Sequence, residues 1–176
     1  KELQNNIAMS SDKCIGLAAV DPGLIDENAG VSIIATTMGQ WDNVPVVKIC
    51  EEKLKMPIML LGTSAAKILA VDRLELNNSI SNLLYVEYGK GIGCGMKLNN
   101  TYISGYGHFA GELGHLSTGN SNAVCRCGGV GCLEAVASLT AIAQKAQSAA
   151  KNSSSILLGK KNFTGVDVLK AASQND

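Results

Sequence analysis

Apolar positions along this chain fall into short runs separated by polar turns, and their period changes from one region to the next. Cys14-Ile-Gly-Leu-Ala-Ala-Val20 is a compact apolar run that reads as a buried strand, ended by the turn residues Asp21-Pro22-Gly23. Val31 to Thr36 is a second, β-branched run, and Met56 to Leu61 reads as another buried strand. Between them, Trp41-Asp42-Asn43 leads into a helix with Pro45 near its first turn and Val46, Val47, Cys50 and Leu54 on one face. Thr63-Ser64 predicts the cap of a helix reaching Leu74, with Ala65, Ile68 and Leu69 facing inward. Ahead of all these, Lys1 to Lys13 is polar, with Leu3 and Ile7 four apart, and reads as the tail of a helix.

The pattern then turns to strands. Leu83 to Tyr88 predicts a strand, followed by the glycine loop Gly89-Lys-Gly-Ile-Gly-Cys-Gly95. Met96 to Leu98 and Thr101 to Ile103 flank Asn99-Asn100, a hairpin signal because asparagine tolerates positive φ. Leu133, Val136, Leu139, Ile142 and Ala146 mark a helix reaching about Ala150, and Lys151 to Lys161 a polar linker. Thr164-Gly-Val-Asp167 is a capping box opening a last helix. Helices alternating with strands make this an α/β chain.

Composition narrows the function. The chain has 176 residues, 46% hydrophobic and 17% charged, with zero net charge, so it can build a core and carries no basic surface for nucleic-acid phosphates. No apolar run reaches the ~18 residues of a membrane span, and the first residues lack a signal-peptide core, so a cytoplasmic location is expected. There, six cysteines read better as thiols or metal ligands than as a disulfide framework. Cys14 and Cys50, single within apolar runs, read as small core residues.

Chemistry concentrates between Gly111 and Glu134, GELGHLSTGNSNAVCRCGGVGCLE. His115, Cys125, Cys127 and Cys132 are a ligand set for Zn²⁺, and four protein ligands leave no open position, so the metal would be structural. Glycines 128, 129 and 131 permit the tight backbone such a knuckle needs. The plainer alternative is a group of ordinary buried cysteines with a core histidine. Glu112 and Glu134 bracket the cluster and, with His115, offer a hydrogen-bonding surface suited to sugar hydroxyls. Otherwise Glu134 is an acid at a helix N-terminus and Glu112 a solvated loop charge.

GELGH followed by CRCGGVGCLEAVAS resembles the ROK family (repressors, open reading frames and kinases). Asp21-Pro22-Gly23-Leu24-Ile25-Asp26 is similar to that family's strand-ending PGPVD, and Trp41 to Pro57 and Lys97 to Gly111 also resemble family segments. The resemblance implies an actin/hexokinase-like (ribonuclease H-like) ATPase fold of two α/β lobes with sugar in the cleft. Residues 1–61 would end the N-terminal lobe, and 62–176 would form part of the C-terminal lobe. The chain would then be a fragment without the first lobe's D-x-G-G-T phosphate loop. The resemblance also makes Glu112, His115 and Glu134 sugar-binding, with His115 a zinc ligand as well.

Two positions depart from the family pattern. Its kinases carry E-N-D-A-N, whose Asp is the general base; here Leu61-Gly62-Thr63-Ser64-Ala65 puts Thr63 at that position. The family's L-G-T-G-V-G nucleotide loop becomes Tyr88-Gly89-Lys90-Gly91-Ile92-Gly93, with Lys90 where Thr is usual; Lys90 could still meet phosphate, or the loop is a simple turn. A threonine hydroxyl is a very weak base, and such a base is worth ~10²–10⁴ in rate. The expectation is therefore the sugar-sensing body of a transcriptional regulator that reaches DNA through a domain outside this chain and forms a homo-oligomer. An ATP- and Mg²⁺-dependent sugar kinase is the alternative, and a non-catalytic binding module a third.

Overall fold

The computed structural model describes residues 14–36, 38–120, 122–150, 155–157 and 162–175. The expected helix tail before Cys14 and most of the expected linker after Ala150 lie outside the described residues. The chain forms two compact units, one of Lys1–Leu83 with Met96–Ala110, the other of Leu84–Gly95 with Gly111–Asp176.

In the first unit, β1 (Leu17–Asp21) pairs in parallel with β5 (Ile58–Gly62), in a register that sets Asp21 opposite Gly62. β2 (Leu24–Asp26), β3 (Val31–Ile34) and β4 (Asp42–Val44) form an antiparallel sheet in that order. The three-residue strands β2 and β4 are too short to show a period, so only β3 stands out in the sequence. α1 (Val46–Leu54) starts after Pro45 as expected. The expectation of buried strands needs correcting for β1 and β5. β1 alternates in burial, and Val20 and Met59 are more than half exposed. The helices α1 and α2 (Thr63–Ala70) pack against β5, and the opposite face of the pair is uncovered among the described residues.

α2 begins where expected, but its cap differs. Gly62 is the N-cap, no side chain caps the helix, and the Thr63 hydroxyl donates instead to the Asp21 carbonyl oxygen at 3.2 Å. Ile68, 1% exposed, is the inward anchor of the helix. The helix then widens into a π-helical turn, Val71–Glu75, which carries a buried aspartate, Asp72. Its Oδ2 accepts from Lys97 Nζ and from the Tyr102 hydroxyl, each at 2.6 Å. Lys97 lies on β7 (Ile92–Leu98) and Tyr102 on β8 (Thr101–Tyr102), which face each other across the Asn99-Asn100 turn. Both asparagines have positive φ, as the hairpin signal required.

In the second unit, β6 ends at Tyr88 (Leu83–Tyr88), matching the sequence pattern, and its outward positions Leu84, Val86 and Tyr88 are exposed. The glycine loop is shorter than expected, because strand resumes at Ile92. The single long helix expected after Leu133 is two: α3 (Leu133–Ala137) and α4 (Leu139–Ala150). Ser138 breaks it with extended backbone, and its hydroxyl accepts from the Ala141 N–H at 3.2 Å, a cap hidden inside a helical period. α5 (Gly165–Ala172) opens with the expected Thr164–Asp167 capping box.

The hydrogen bonds from Lys97 and then Tyr102 hold Asp72 below the usual aspartate range. Its contribution to stability is complete above the ordinary aspartate pKa of about 4 and is lost as pH falls through the lower folded value. Lys97→Met should therefore lower the thermal midpoint at pH 7 by more than about 5 °C and flatten the acid limb of the midpoint-versus-pH curve. Scanning calorimetry of both proteins between pH 3 and 7 decides it; parallel acid limbs would refute the assignment.

Candidate functional site

Between Leu116 and Cys132 the chain doubles back on itself. Thr118 N–H and hydroxyl both donate to the Gly131 carbonyl, at 2.7 and 2.9 Å, and Leu133 N–H donates to Leu116 O at 2.9 Å. Inside this fold a tight knuckle forms, with Cys125 N–H to Gly129 O at 2.8 Å and Gly128 N–H to Cys125 O at 3.0 Å. Gly128 and Gly131 take the positive φ expected of them.

The knuckle brings the four predicted ligands together. One donor atom from each of His115, Cys125, Cys127 and Cys132 lies within 4.8 Å of every other. Cys125 Sγ is 3.7 Å from His115 Nδ1, and Cys127 Sγ is 3.8 Å from Cys132 Sγ. A tetrahedral ion with metal–sulfur bonds of about 2.3 Å has edges of about 3.8 Å, so the spacing fits. The thiols suit it chemically too. Burial pushes Cys132 up to about 12, whereas the Gly129 N–H draws Cys127 below the usual thiol range. A buried thiolate at Cys132 needs a cation beside it, and the donor set can supply the place for one. All six cysteines are free thiols, and Cys14 and Cys50 are half-buried, as small core residues allow.

Glu112 and His115 flank the 3-10 turn Leu113–His115. With Nδ1 turned to Cys125, the His115 ring points Nε2 at Glu112 Oε2, 3.5 Å away. Carboxylate partners of this kind fix the ring orientation of a metal-bound histidine. Glu134 sits in the first turn of α3. Its Oε1 accepts from Arg126 Nη2 at 2.7 Å, and its Oε2 accepts from Ile92 N–H at 2.9 Å. Burial raises its pKa, but the hydrogen bonds from Arg126 and Ile92, with the charge of Arg126, outweigh that and hold it below the usual range. The loop comes close to this carboxylate at Gly91, where a Cβ would meet Glu134 Oε2 and force it to shift.

The glycine loop packs onto the break between α3 and α4. Leu139 N–H donates to Gly89 O and the Thr140 hydroxyl to Lys90 O, both at 2.9 Å, and Tyr88 OH donates to Ala137 O at 3.0 Å. Gly93 lies in β7 rather than in the loop. Beside the loop is a cavity of about 170 Å³ lined by Lys90, Arg126, Glu134, Ser138, Thr140 and Gln144 among others. Glu112 and His115 do not line it.

Thr63 belongs to the other unit, at the C-terminal end of β5. The sequence pattern gave its neighbour Asp21 only a turn role. In the structure Asp21 is buried and organises the segment: Oδ1 accepts from Gly23 N–H at 2.7 Å and Oδ2 from Trp41 Nε1 at 3.1 Å. Arg126 joins the site without any motif of its own to announce it; its one sequence signal is its place between two cysteines of the cluster.

The ROK family model matches residues 1–176, the whole chain. This chain belongs to the ROK family. Its fold is accordingly the actin/hexokinase-like fold of the family's sugar kinases. The chain is 32% identical over 128 residues to the xylose repressor of Caldicellulosiruptor bescii, covering 73% of this chain and 32% of the repressor. It is also 32% identical over 145 residues to the glucokinase of Halalkalibacterium halodurans, covering 82% of this chain and 43% of that enzyme. Among solved structures, a ROK family transcriptional regulator, homologue of the Escherichia coli MLC protein, superposes with a TM-score of 0.83 at 23% identity, over 99% of this chain and 45% of that one. The chain thus spans less than half the length of each of these relatives, which include both repressors and kinases. No helix among the described residues is long and apolar enough to cross a membrane.

The cluster predicts about one equivalent of bound metal per chain in protein purified under reducing conditions. Cys132→Ser should reduce this to near zero, measured by elemental analysis. Metal-free wild-type protein, reduced and never exposed to chelator, would sink the assignment.

Proposed function

We propose that this chain is the sugar-sensing body of a ROK-family transcriptional regulator, with Glu112, His115 and Glu134 accepting and donating hydrogen bonds to sugar hydroxyls. Zinc, held by His115, Cys125, Cys127 and Cys132, would supply a structural cross-link that fixes the knuckle and the His115 ring. The observation that carries the sensor reading is Thr63. It stands at the position of the kinases' catalytic Asp, and its hydroxyl is already committed as a donor to the Asp21 carbonyl. A neutral hydroxyl is a very weak base whatever it donates to, and losing a general base costs ~10²–10⁴ in rate. A sensor loses nothing by it. Binding then acts through the difference in sugar affinity between DNA-competent and DNA-released states, with DNA contacted by a domain outside this chain and the body working as a homo-oligomer in the cytoplasm.

The kinase reading keeps one specific support. The glycine loop that would meet ATP retains Gly89, Gly91 and Gly93, and Lys90 brings a cation to it. Under that reading ATP and Mg²⁺ would be required and another group would have to take the proton.

The intact protein should release its operator when D-xylose or D-glucose is added, and Glu112→Gln should weaken sugar binding about tenfold, read by titration calorimetry and gel shift. Operator affinity unchanged by each sugar in turn would remove the sensor reading. Phosphoryl transfer from ATP that survives Thr63→Val but is lost in Glu112→Gln would establish the kinase instead.

A further inference from the structure

The sugar reading gives Glu134 a task but leaves open how its carboxylate is held. The carboxylate side chain is 12% exposed, and the Arg126 side chain 59% exposed. An ion pair between two solvated side chains contributes little. Here, by contrast, an exposed guanidinium reaches onto a mostly buried carboxylate in a charge-assisted contact of 2.7 Å, and on the other oxygen the Ile92 N–H of the glycine loop closes the grip. Arg126 is itself held at its root, because it follows Cys125, whose N–H and carbonyl are both tied into the knuckle's hydrogen bonds. On the loop side the approach is tight, since a Cβ at Gly91 would displace the Glu134 carboxylate from its present place. A carboxylate oxygen can accept two hydrogen bonds. With one donor on each, Glu134 keeps one acceptor site per oxygen, in directions fixed by the two donors it already has.

We propose that Arg126 is a positioning residue of the ligand site. It locks Glu134 between the cysteine knuckle and the glycine loop, so that the two remaining acceptor sites are preset for hydroxyl donors of a sugar. Arg126 touches no sugar itself; it acts through Glu134, and the proposal rests on the reading of Glu134 as a sugar contact. A preset carboxylate avoids the ordering cost that a free glutamate would meet on binding. It also favours ligands that offer paired hydroxyls over deoxy analogues, because an acceptor fixed in place and left without a donor is a penalty.

The test is a double-mutant cycle on the intact protein, with D-glucose and D-xylose as probes in titration calorimetry and metal content measured alongside. Arg126→Ala should weaken the better-bound sugar about tenfold with metal content unchanged, and Arg126→Lys should recover part of the loss. On the Glu134→Gln background, Arg126→Ala should change affinity less than about twofold. Independent, additive losses from Arg126→Ala and Glu134→Gln would overturn the proposal. So would a loss of metal in Arg126→Ala, which would make Arg126 a part of the knuckle only. Wild-type affinity in Arg126→Ala alongside a crippled Glu134→Gln would overturn it and leave the sugar reading standing. Wild-type affinity in Glu134→Gln would instead bring down the sugar reading of Glu134, on which the proposal rests.

Discussion

Three thiols and an imidazole crowded to within 4.8 Å of one another are the constraint on which the second unit depends. Such a group is unfavourable on its own terms. Burial pushes Cys132 to about 12, and thiolates at this spacing repel one another. The arrangement becomes favourable when a cation occupies its centre, because metal binding then becomes folding energy. Closing it dictates what surrounds it. Cys132 is the N-cap of α3, so the helix starts where the knuckle ends and carries Glu134 in its first turn. His115 enters from a separate segment, and its second nitrogen reaches Glu112.

The glycine loop is tied to that frame by short polar contacts. Ile92 N–H meets Glu134, and Gly89 and Lys90 give their carbonyls to the first turn of α4. The bond to Gly89 is open to the loop because the helix breaks at Ser138, which leaves the Leu139 N–H without an intrahelical partner. A continuous helix would have used that donor internally. The break, the loop and the carboxylate are thus one arrangement.

In the first unit the comparable organiser is Asp21, which spends its carboxylate on Gly23 and Trp41 and its carbonyl on Thr63. This is why the departure at Thr63 carries weight: the residue is built into a structural network. Repressors and kinases of this family share their fold, and identities of 32% to both a repressor and a kinase cannot separate them. The separation turns on the chemistry of very few side chains.

The sequence alone determined the His–Cys cluster as a candidate metal site, the acids beside it as candidate sugar contacts, the family, and the strands and caps whose signals are local. His115, Cys125, Cys127 and Cys132 were legible because three thiols and an imidazole within eighteen positions, interleaved with glycine, make a spacing that a tetrahedral ion requires and an apolar core does not. The Asn99-Asn100 turn and the Thr164 capping box were legible because their bonds close within a few residues. The tertiary structure alone decided the rest. The half-exposed faces of β1 and β5 depend on which elements pack against them. The split of one helical period into α3 and α4 leaves the Leu139 N–H for a carbonyl at Gly89, far away in sequence. Arg126 acquires its role from a carboxylate eight residues on and an amide thirty-four residues back. Local pattern records what a residue prefers with its neighbours in sequence. Which buried donor meets which acceptor is settled only when distant segments fold against one another and each polar group must find its partner.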